Sequence, residues 1–436
     1  MKILIVTPEF PPDCGGGIAT FYANLAPALR KHGWSVMVIK GSAFSHGNGV
    51  YEWEAVPTCL LETERFLKWQ SRFAHFGMFP ELRRHLAAAF AIHEQAREGD
   101  GFDIVEVTDW GLLFLPWMMS ANSRVTVQLH GSVGQIFKHD SSQGREAEAA
   151  LSFLLETSGL RAAPGLCSYS HSNADWWRQL LERNVDYVPP LLSSRHFSRT
   201  PVADSDTWCT VARIQHWKGP HVACAAWNLL GCNAPALQWI GRDTPHGSAD
   251  GSTDRWLQRQ FPSIWRNRIN PTGPLLPAQV VDYVRGAKAI LVPSTWDVFN
   301  LAAAEAMGLR KVVVISSGAG AAELVEDGIN GFLFPNGDAT ALAEAVRTVG
   351  SLNIKQREAI GEAAASTVEQ QLNAARVVTA KTDLYRRLPA ATPDVSWLRE
   401  SLFIGASMNS LEFLEQMPLR PLGSYVVRRL VDKLIS

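Results

Sequence analysis

Apolar residues fall into two alternating rhythms along this chain. Short continuous runs rich in β-branched residues occur at 2–7 (KILIVT), 35–39 (SVMVI), 103–107 (DIVEV), 124–129 (RVTVQL) and 185–188 (VDYV), and they predict strands. Amphipathic or Ala/Leu-rich stretches such as 18–32 and 81–97 lie between them and predict helices. Strand–helix alternation implies a parallel sheet covered by helices. Runs that are apolar throughout, rather than at every second residue, fit strands buried on both faces. The stretch 189–207 (PPLLSSRHFSRTPVADSDT) breaks the rhythm and reads as a linker. The pattern restarts at 208–212, 237–240, 289–292, 311–315 and 332–334. The expectation is an α/β chain with two parallel-sheet domains, 1–195 and 196–390, and a helical tail at 391–436.

That tail ends in PLGSYVVRRLVDKLIS (421–436), a basic amphipathic pattern. Val426, Val427, Leu430, Val431 and Leu434 share one helical face, with Arg428, Arg429 and Lys433 off it. Two roles fit: docking on a domain, or peripheral contact with an anionic membrane at its inner face.

Composition narrows the class. With 46% hydrophobic and 19% charged residues, the 436-residue chain has the balance of a soluble globular protein. A net charge of -1 gives no field to attract nucleic acid, so no nucleic-acid partner is expected. The Cys residues, at 14, 59, 167, 209, 224 and 232, show neither C-x-x-C spacing nor companion His, which points to free thiols in a reducing, cytoplasmic setting. MKILIV is too short for the core of a signal peptide, and no run reaches the ~18 apolar residues of a membrane span.

Open parallel sheets bind ligands outside the carboxyl ends of their strands. After the first strand come Gly15, Gly16 and Gly17, running into a helix. Glycines there let the backbone approach a bulky anion, and a helix start supplies free N–H groups, although a tight turn alone would explain them. Asp109 and Trp110 follow 103–107, and His130 and Gly131 follow 124–129. Arg213 and Lys218 follow 208–212, either as anion ligands or as a solvated surface pair. Polar groups thus gather where a cleft between two domains would lie.

The segment PSTWDVFNLAAAEAM (293–307) holds two carboxylates, Asp297 and Glu305, in apolar surroundings. A helix starting near Asn300 would aim the N–H groups of Phe299, Asn300 and Leu301 into the cleft, where a phosphate fits. At 1.5 Å per residue the two acids lie up to roughly 12 Å apart, a span that suits hydroxyl groups at both ends of a ligand with phosphate between. The plainer alternative is that Asp297 caps the helix and Glu305 bonds locally.

These residues resemble the retaining glycosyltransferases of the GT-B fold, family 4 ("glycosyl transferases group 1"). The resemblance rests on ARIQHWKGP (212–220), VPSTWDVFNLAAAEAM (292–307), SSGAGAAELVEDGINGFLF (316–334), the opening 39 residues and VTVQLHG (125–131). It implies two Rossmann-like domains facing a central cleft, with a C-terminal helix packing back on the N-terminal domain. It implies transfer of a sugar from a UDP-, GDP- or ADP-linked donor to a hydroxyl acceptor, in polysaccharide, lipopolysaccharide or glycoconjugate synthesis. By this likeness Arg213 and Lys218 hold the donor diphosphate, Glu305 the ribose, and Asp297 the donor sugar. The amides of Phe299, Asn300 and Leu301 meet sugar or phosphate, Gly16 and Gly17 border the diphosphate, and His130 faces the sugar. No metal or other cofactor is implied, and closure of the domains over the donor is expected.

The chain departs from the family pattern in four places. Asp297 stands where Glu is usual, Asn300 where Gly is usual, GLRKV replaces a Gly-x-Pro, and Ala319-Gly320 replaces a Gly pair. These leave room for a non-catalytic nucleotide-sugar-binding protein, and a sugar-nucleotide epimerase shares the fold. A metal-dependent transferase would rely on Asp204-Ser-Asp206, which lies in the linker; a dinucleotide oxidoreductase would need a third glycine that GAGAAE (318–323) lacks.

Overall fold

A computed structural model describes residues 1–12, 16–99, 101–120, 124–140, 146–193, 205–247, 251–389 and 396–403, together with 423, 426, 427, 430 and 431 of the tail. The first sheet holds β1 (Lys2–Thr7), β2 (Ser35–Lys40), β3 (Val50–Trp53), β4 (Val56–Leu60), β5 (Ile104–Thr108), β6 (Val125–Leu129), β7 (Gly165–Ser168) and β8 (Asp186–Tyr187). Their order is β3-β4-β2-β1-β5-β6-β7-β8, parallel except for the β3–β4 edge hairpin. The second sheet holds β9 (Trp208–Val211), β10 (Leu237–Ile240), β11 (Ile269–Gly273), β12 (Ala289–Val292), β13 (Val312–Ser316) and β14 (Phe332–Phe334), in the order β11-β10-β9-β12-β13-β14. This is the two-lobed arrangement of parallel sheets that the alternating rhythm predicts. The joint expected near 195 lies outside the described residues.

Burial follows the rhythm. β5, β6, β12 and β13 are buried at every position, as apolar strands covered on both faces must be. One apolar cluster takes in Ile3 and Ile5 of β1, Val36 and Val38 of β2 and Ile104 of β5, and continues from Phe21 and Tyr22 through Tyr169 to Val298, Phe299 and Leu301, so it runs from one lobe into the other. Each lobe also has a cluster of its own.

The helix that packs back is Ala374–Arg387, which meets Gly17–Lys31 of the first lobe. Its Lys381 is fully buried, with Nζ 2.7 Å from Glu106 Oε2 on β5 and 2.6 Å from Gln128 Oε1 on β6. The Tyr385 hydroxyl donates to the same Glu106 oxygen at 2.6 Å. The next helix, Ser396–Phe403, buries Leu398 and Leu402 in the first lobe's core. The two crossings of the chain are tied where Leu192 N–H donates to Leu372 O at 2.9 Å.

Of the tail face, Val426, Val427, Leu430 and Val431 are described; they are helical and exposed. Leu434, Arg428, Arg429 and Lys433 lie outside the described residues. Among the described residues, no helix is long and apolar enough to cross a membrane.

Candidate active site

In the second lobe the chain leaves β9 through Arg213 and makes a short turn at His216–Lys218. Gly219 then takes φ +75°, and a Cβ there would fall 1.8 Å from Pro293 O. Only glycine lets this turn press against the loop after β12. Thr295 N–H donates to Trp217 O at 2.9 Å, which fixes the contact. As a result Lys218 Nζ lies 2.5 Å from Asp297 Oδ2, with side-chain exposures of 13% and 12%. Burial lowers the Lys218 pKa, Asp297 opposes that, and the like charge of Arg213 adds to it.

Asn300 sits at φ +82°, a left-handed backbone that Asn tolerates. Its Oδ1 accepts from Ala303 N–H at 3.1 Å and caps the helix Leu301–Gly308, while its Nδ2 donates to Asp297 Oδ2 at 3.1 Å. The cap is therefore Asn300, not Asp297. This leaves Asp297 aimed at Lys218, and Glu305 half-buried one helical turn further in. Arg213 is exposed as a residue, yet protein crowds its guanidinium enough to lower its pKa; Arg242 adds to the shift, and Glu9 and Asp297 oppose it. Arg213 Cζ lies 5.9 Å from the centre of the Trp217 ring and Lys218 Nζ 4.0 Å from it, so the two cations flank one indole.

In the first lobe, Gly16 N–H donates to Glu9 Oε2 at 2.7 Å at the start of the helix Gly17–Lys31. A carboxylate thus already satisfies the amide where an anion is expected to lie. A Cβ built on Gly17 would sit 3.9 Å from Leu301 Cδ1. The starts of two helices, one from each lobe, therefore face each other across the gap.

His130 is buried against Phe21, Tyr22 and Tyr169, and its Nδ1 is 3.2 Å from the Tyr169 hydroxyl. Its Nε2 has no hydrogen-bond partner among the described residues. Burial and then Lys381 hold its pKa well below the ordinary value, so the ring is neutral. Two buried acids shape its loop. Asp109 accepts from His130 N–H at 2.8 Å and Gly131 N–H at 3.2 Å, and burial pushes its pKa to about 7. Glu156 accepts from the Ser132 hydroxyl at 2.7 Å and from Gly134 N–H at 3.1 Å, and burial pushes it to about 8.

Direct contacts between lobes frame this region. Trp296, beside Asp297, stacks on His139 with ring centroids 4.4 Å apart and planes 4° apart. Phe299 meets Tyr169 edge-on at 5.8 Å. Glu323 of the second lobe accepts from His171 N–H at 2.8 Å and Ser172 N–H at 2.7 Å, at the start of the helix His171–Leu181 in the first.

Family models match both lobes: "Glycosyltransferase Family 4" over residues 15–196 and "Glycosyl transferases group 1" over residues 205–351. The chain belongs to the GT-B glycosyltransferases. A curated relative, D-inositol 3-phosphate glycosyltransferase of Paenarthrobacter aurescens, is 26% identical over 211 residues, 46% of this chain and 50% of that protein. The chain thus matches about half the length of that relative. The sucrose-phosphate synthase of Thermosynechococcus elongatus shares the fold with a TM-score of 0.69 at 18% identity, covering 89% of this chain and 98% of that one. Anabaena HepE in complex with UDP-glucose gives a TM-score of 0.63 at 18% identity, covering 89% and 99%.

In this glycosyltransferase the second-lobe residues singled out from sequence, Arg213, Lys218, Asp297, Phe299, Asn300 and Leu301, come together on two adjoining loops. Gly16 and Gly17 lie opposite them. His130 shares the aromatic cluster that includes Tyr169, which Phe299 touches. Gly318 and Gly320 serve close packing: a Cβ on them would fall 2.5 Å from Thr295 O and 2.2 Å from Val298 O. Asp206 is tied to Lys288 at 2.9 Å, and Asp204 lies outside the described residues. Sequence reasoning missed Glu9, Glu156, Tyr169 and Glu323. Glu9 stood within the glycine-loop segment; the others sit in ordinary helices and turns that carry no pattern.

Proposed function

We propose that this glycosyltransferase moves a sugar from a nucleoside-diphosphate donor to a hydroxyl acceptor with retention at the anomeric carbon. The observation that carries it is the convergence of Lys218, Asp297 and Arg213 opposite the helix start at Gly16 and Gly17. A diphosphate between the lobes would meet two cations and two helix N-termini, and would displace Glu9 from the Gly16 amide. As the bond from the anomeric carbon to the diphosphate oxygen breaks, negative charge grows where those groups stand. The acceptor oxygen bonds to the carbon on the face being vacated, and its proton passes to a phosphate oxygen of the leaving group. Asp297 would turn from Lys218 to the sugar hydroxyls, Glu305 would hold the ribose, and the amides of Phe299, Asn300 and Leu301 would meet sugar or phosphate. His130, being neutral, would serve the sugar as a hydrogen-bond partner rather than as a charge. No metal is part of this reading.

HepE is recorded with UDP-glucose, which makes that donor the first to try. Release of UDP from UDP-glucose, followed by chromatography and abolished by Arg213→Ala, is the expected result. Tight donor binding with no turnover on any acceptor would support a binding protein instead. We also infer that the exposed tail face touches an anionic membrane, in line with synthesis of a glycan or glycoconjugate there. Sedimentation with anionic vesicles should be lost when 404–436 are removed; unchanged sedimentation would refute the contact.

A further inference from the structure

The first lobe carries an aromatic patch for which donor chemistry has no use. After β2 the chain closes a tight turn: Ser42 N–H donates to Ser45 O at 2.8 Å, Ser45 N–H to Ser42 O at 3.3 Å, and Phe44 N–H to Ser42 Oγ at 3.2 Å. This turn holds Phe44 with 56% of its surface exposed. Phe44 meets His85 edge-on at 5.6 Å and Trp110 at 6.5 Å, and His85 meets Trp110 edge-on at 5.2 Å. The exposed Arg84 places its guanidinium carbon 5.9 Å from the Phe44 ring centre. His85 is buried, and its Nδ1 has no hydrogen-bond partner among the described residues.

A single exposed Phe is ordinary. This one is held by three hydrogen bonds, backed by two further rings and overlain by a cation. It also lies at the carboxyl edge of the first sheet. Trp110 directly follows Asp109, whose carboxylate binds the backbone of His130 and Gly131. The patch therefore adjoins the loop that faces the donor region, on the lobe opposite Arg213 and Lys218.

We propose that Phe44, Trp110 and Arg84 form the acceptor subsite, and that the acceptor is a sugar bearing a phosphate. The flat C–H face of a sugar ring packs on an aromatic face without competing for hydroxyl hydrogen bonds. A guanidinium beside it matches a phosphate with two parallel hydrogen bonds. The proposal rests on the reading of this protein as a sugar transferase.

The test is calorimetric titration of the UDP-loaded full chain. The probes are glucose 1-phosphate, glucose 6-phosphate, fructose 6-phosphate, the unphosphorylated sugars and a short-chain lipid-linked sugar diphosphate. A phosphorylated probe is expected to bind at least about tenfold more tightly than its parent sugar, and Phe44→Ala and Arg84→Gln are each expected to cost about tenfold. Thermal midpoints check that both variants fold, and Leu67→Ala, at an exposed site off the patch, should bind as the wild type does. Binding of free hexose phosphates supports a water-soluble acceptor; binding of the lipid-linked probe alone supports the same subsite with a membrane-borne one. If no phosphorylated probe binds in the millimolar range, or binding survives both substitutions, the proposal is overturned. If the wild type has no affinity for UDP, the transferase reading fails first and the acceptor subsite with it.

Discussion

The ammonium of Lys218 rests 2.5 Å from a carboxylate oxygen of Asp297, and water barely reaches either group. Each compensates a charge that would otherwise be buried alone, which is costly. Lys218→Ala and Asp297→Ala should therefore couple in a double-mutant cycle by about 1–3 kcal/mol, measured by chemical denaturation. Saturating UDP should shrink that coupling, because the diphosphate takes over the ammonium. Arg213→Ala and Lys218→Ala should each weaken UDP binding by about 1.5–3 kcal/mol. Asp297→Ala should weaken UDP-glucose more than UDP. Unaltered UDP affinity in both cation variants would remove the site assignment.

Glu156 makes stability depend on pH in a definite direction. Its folded pKa, about 8, lies far above the ordinary carboxylate value, so the native state keeps a proton that the unfolded chain releases. The associated stability is fully present below the unfolded pKa and is lost as pH rises through the folded one. Between about pH 5 and pH 8 the thermal midpoint of the wild type should fall more steeply than that of Glu156→Gln, which carries no charge at any pH. Parallel slopes would show that this carboxyl does not hold its proton.

Breaking the pair in the first lobe's core should be expensive. Lys381→Met leaves Glu106 buried without its cation, a loss of about 3–5 kcal/mol by the measure of other buried pairs. Adding Glu106→Gln should restore part of that loss, because the uncharged amide no longer needs compensation. Denaturation midpoints of the single and double variants decide it; a double variant no more stable than the single one would argue against charge as the cause.

Glu323 joins the lobes through two backbone N–H groups, and charge-assisted bonds of this kind are the stronger ones. Removing them with Glu323→Ala should loosen the lobes, raising the radius of gyration of nucleotide-free protein in X-ray scattering. UDP-glucose should reduce the difference if it draws the lobes together. Scattering curves that superimpose for wild type and variant, with and without donor, would refute both statements.

The strands that define the fold were legible because buried parallel strands must be apolar along their whole length. Three features escaped, among them β11, whose Ile269–Gly273 carries Asn, Pro and Gly and so reads as a turn. The β3–β4 hairpin turns at Glu54 and Ala55, both with positive φ, where Asn-Gly or Asp-Gly would have signalled a turn. β7 begins with Gly165 and spans only Gly165–Ser168, too short to stand out. In the site, the residue types after each strand pointed to the cleft, but not how they pair. Lys218 and Asp297 are 79 positions apart, and their meeting depends on the close approach that Gly219 permits. The capping role of Asn300 went unseen, because Asp297 offered the same chemistry three residues earlier. Glu156 and Glu323 act on backbone amides remote in sequence, and such partners leave no trace in local pattern.

The return of Ala374–Arg387 to the first lobe bears on how these enzymes can be recombined. The lobe that Lys381 completes is encoded by both ends of the chain, with the other lobe inserted between them. A hybrid that grafts the second lobe onto a foreign partner must inherit 1–193 and 374–403 from a single parent. Otherwise the carboxylate of Glu106 is enclosed with no countercharge, and the swap fails at folding before specificity is ever tested.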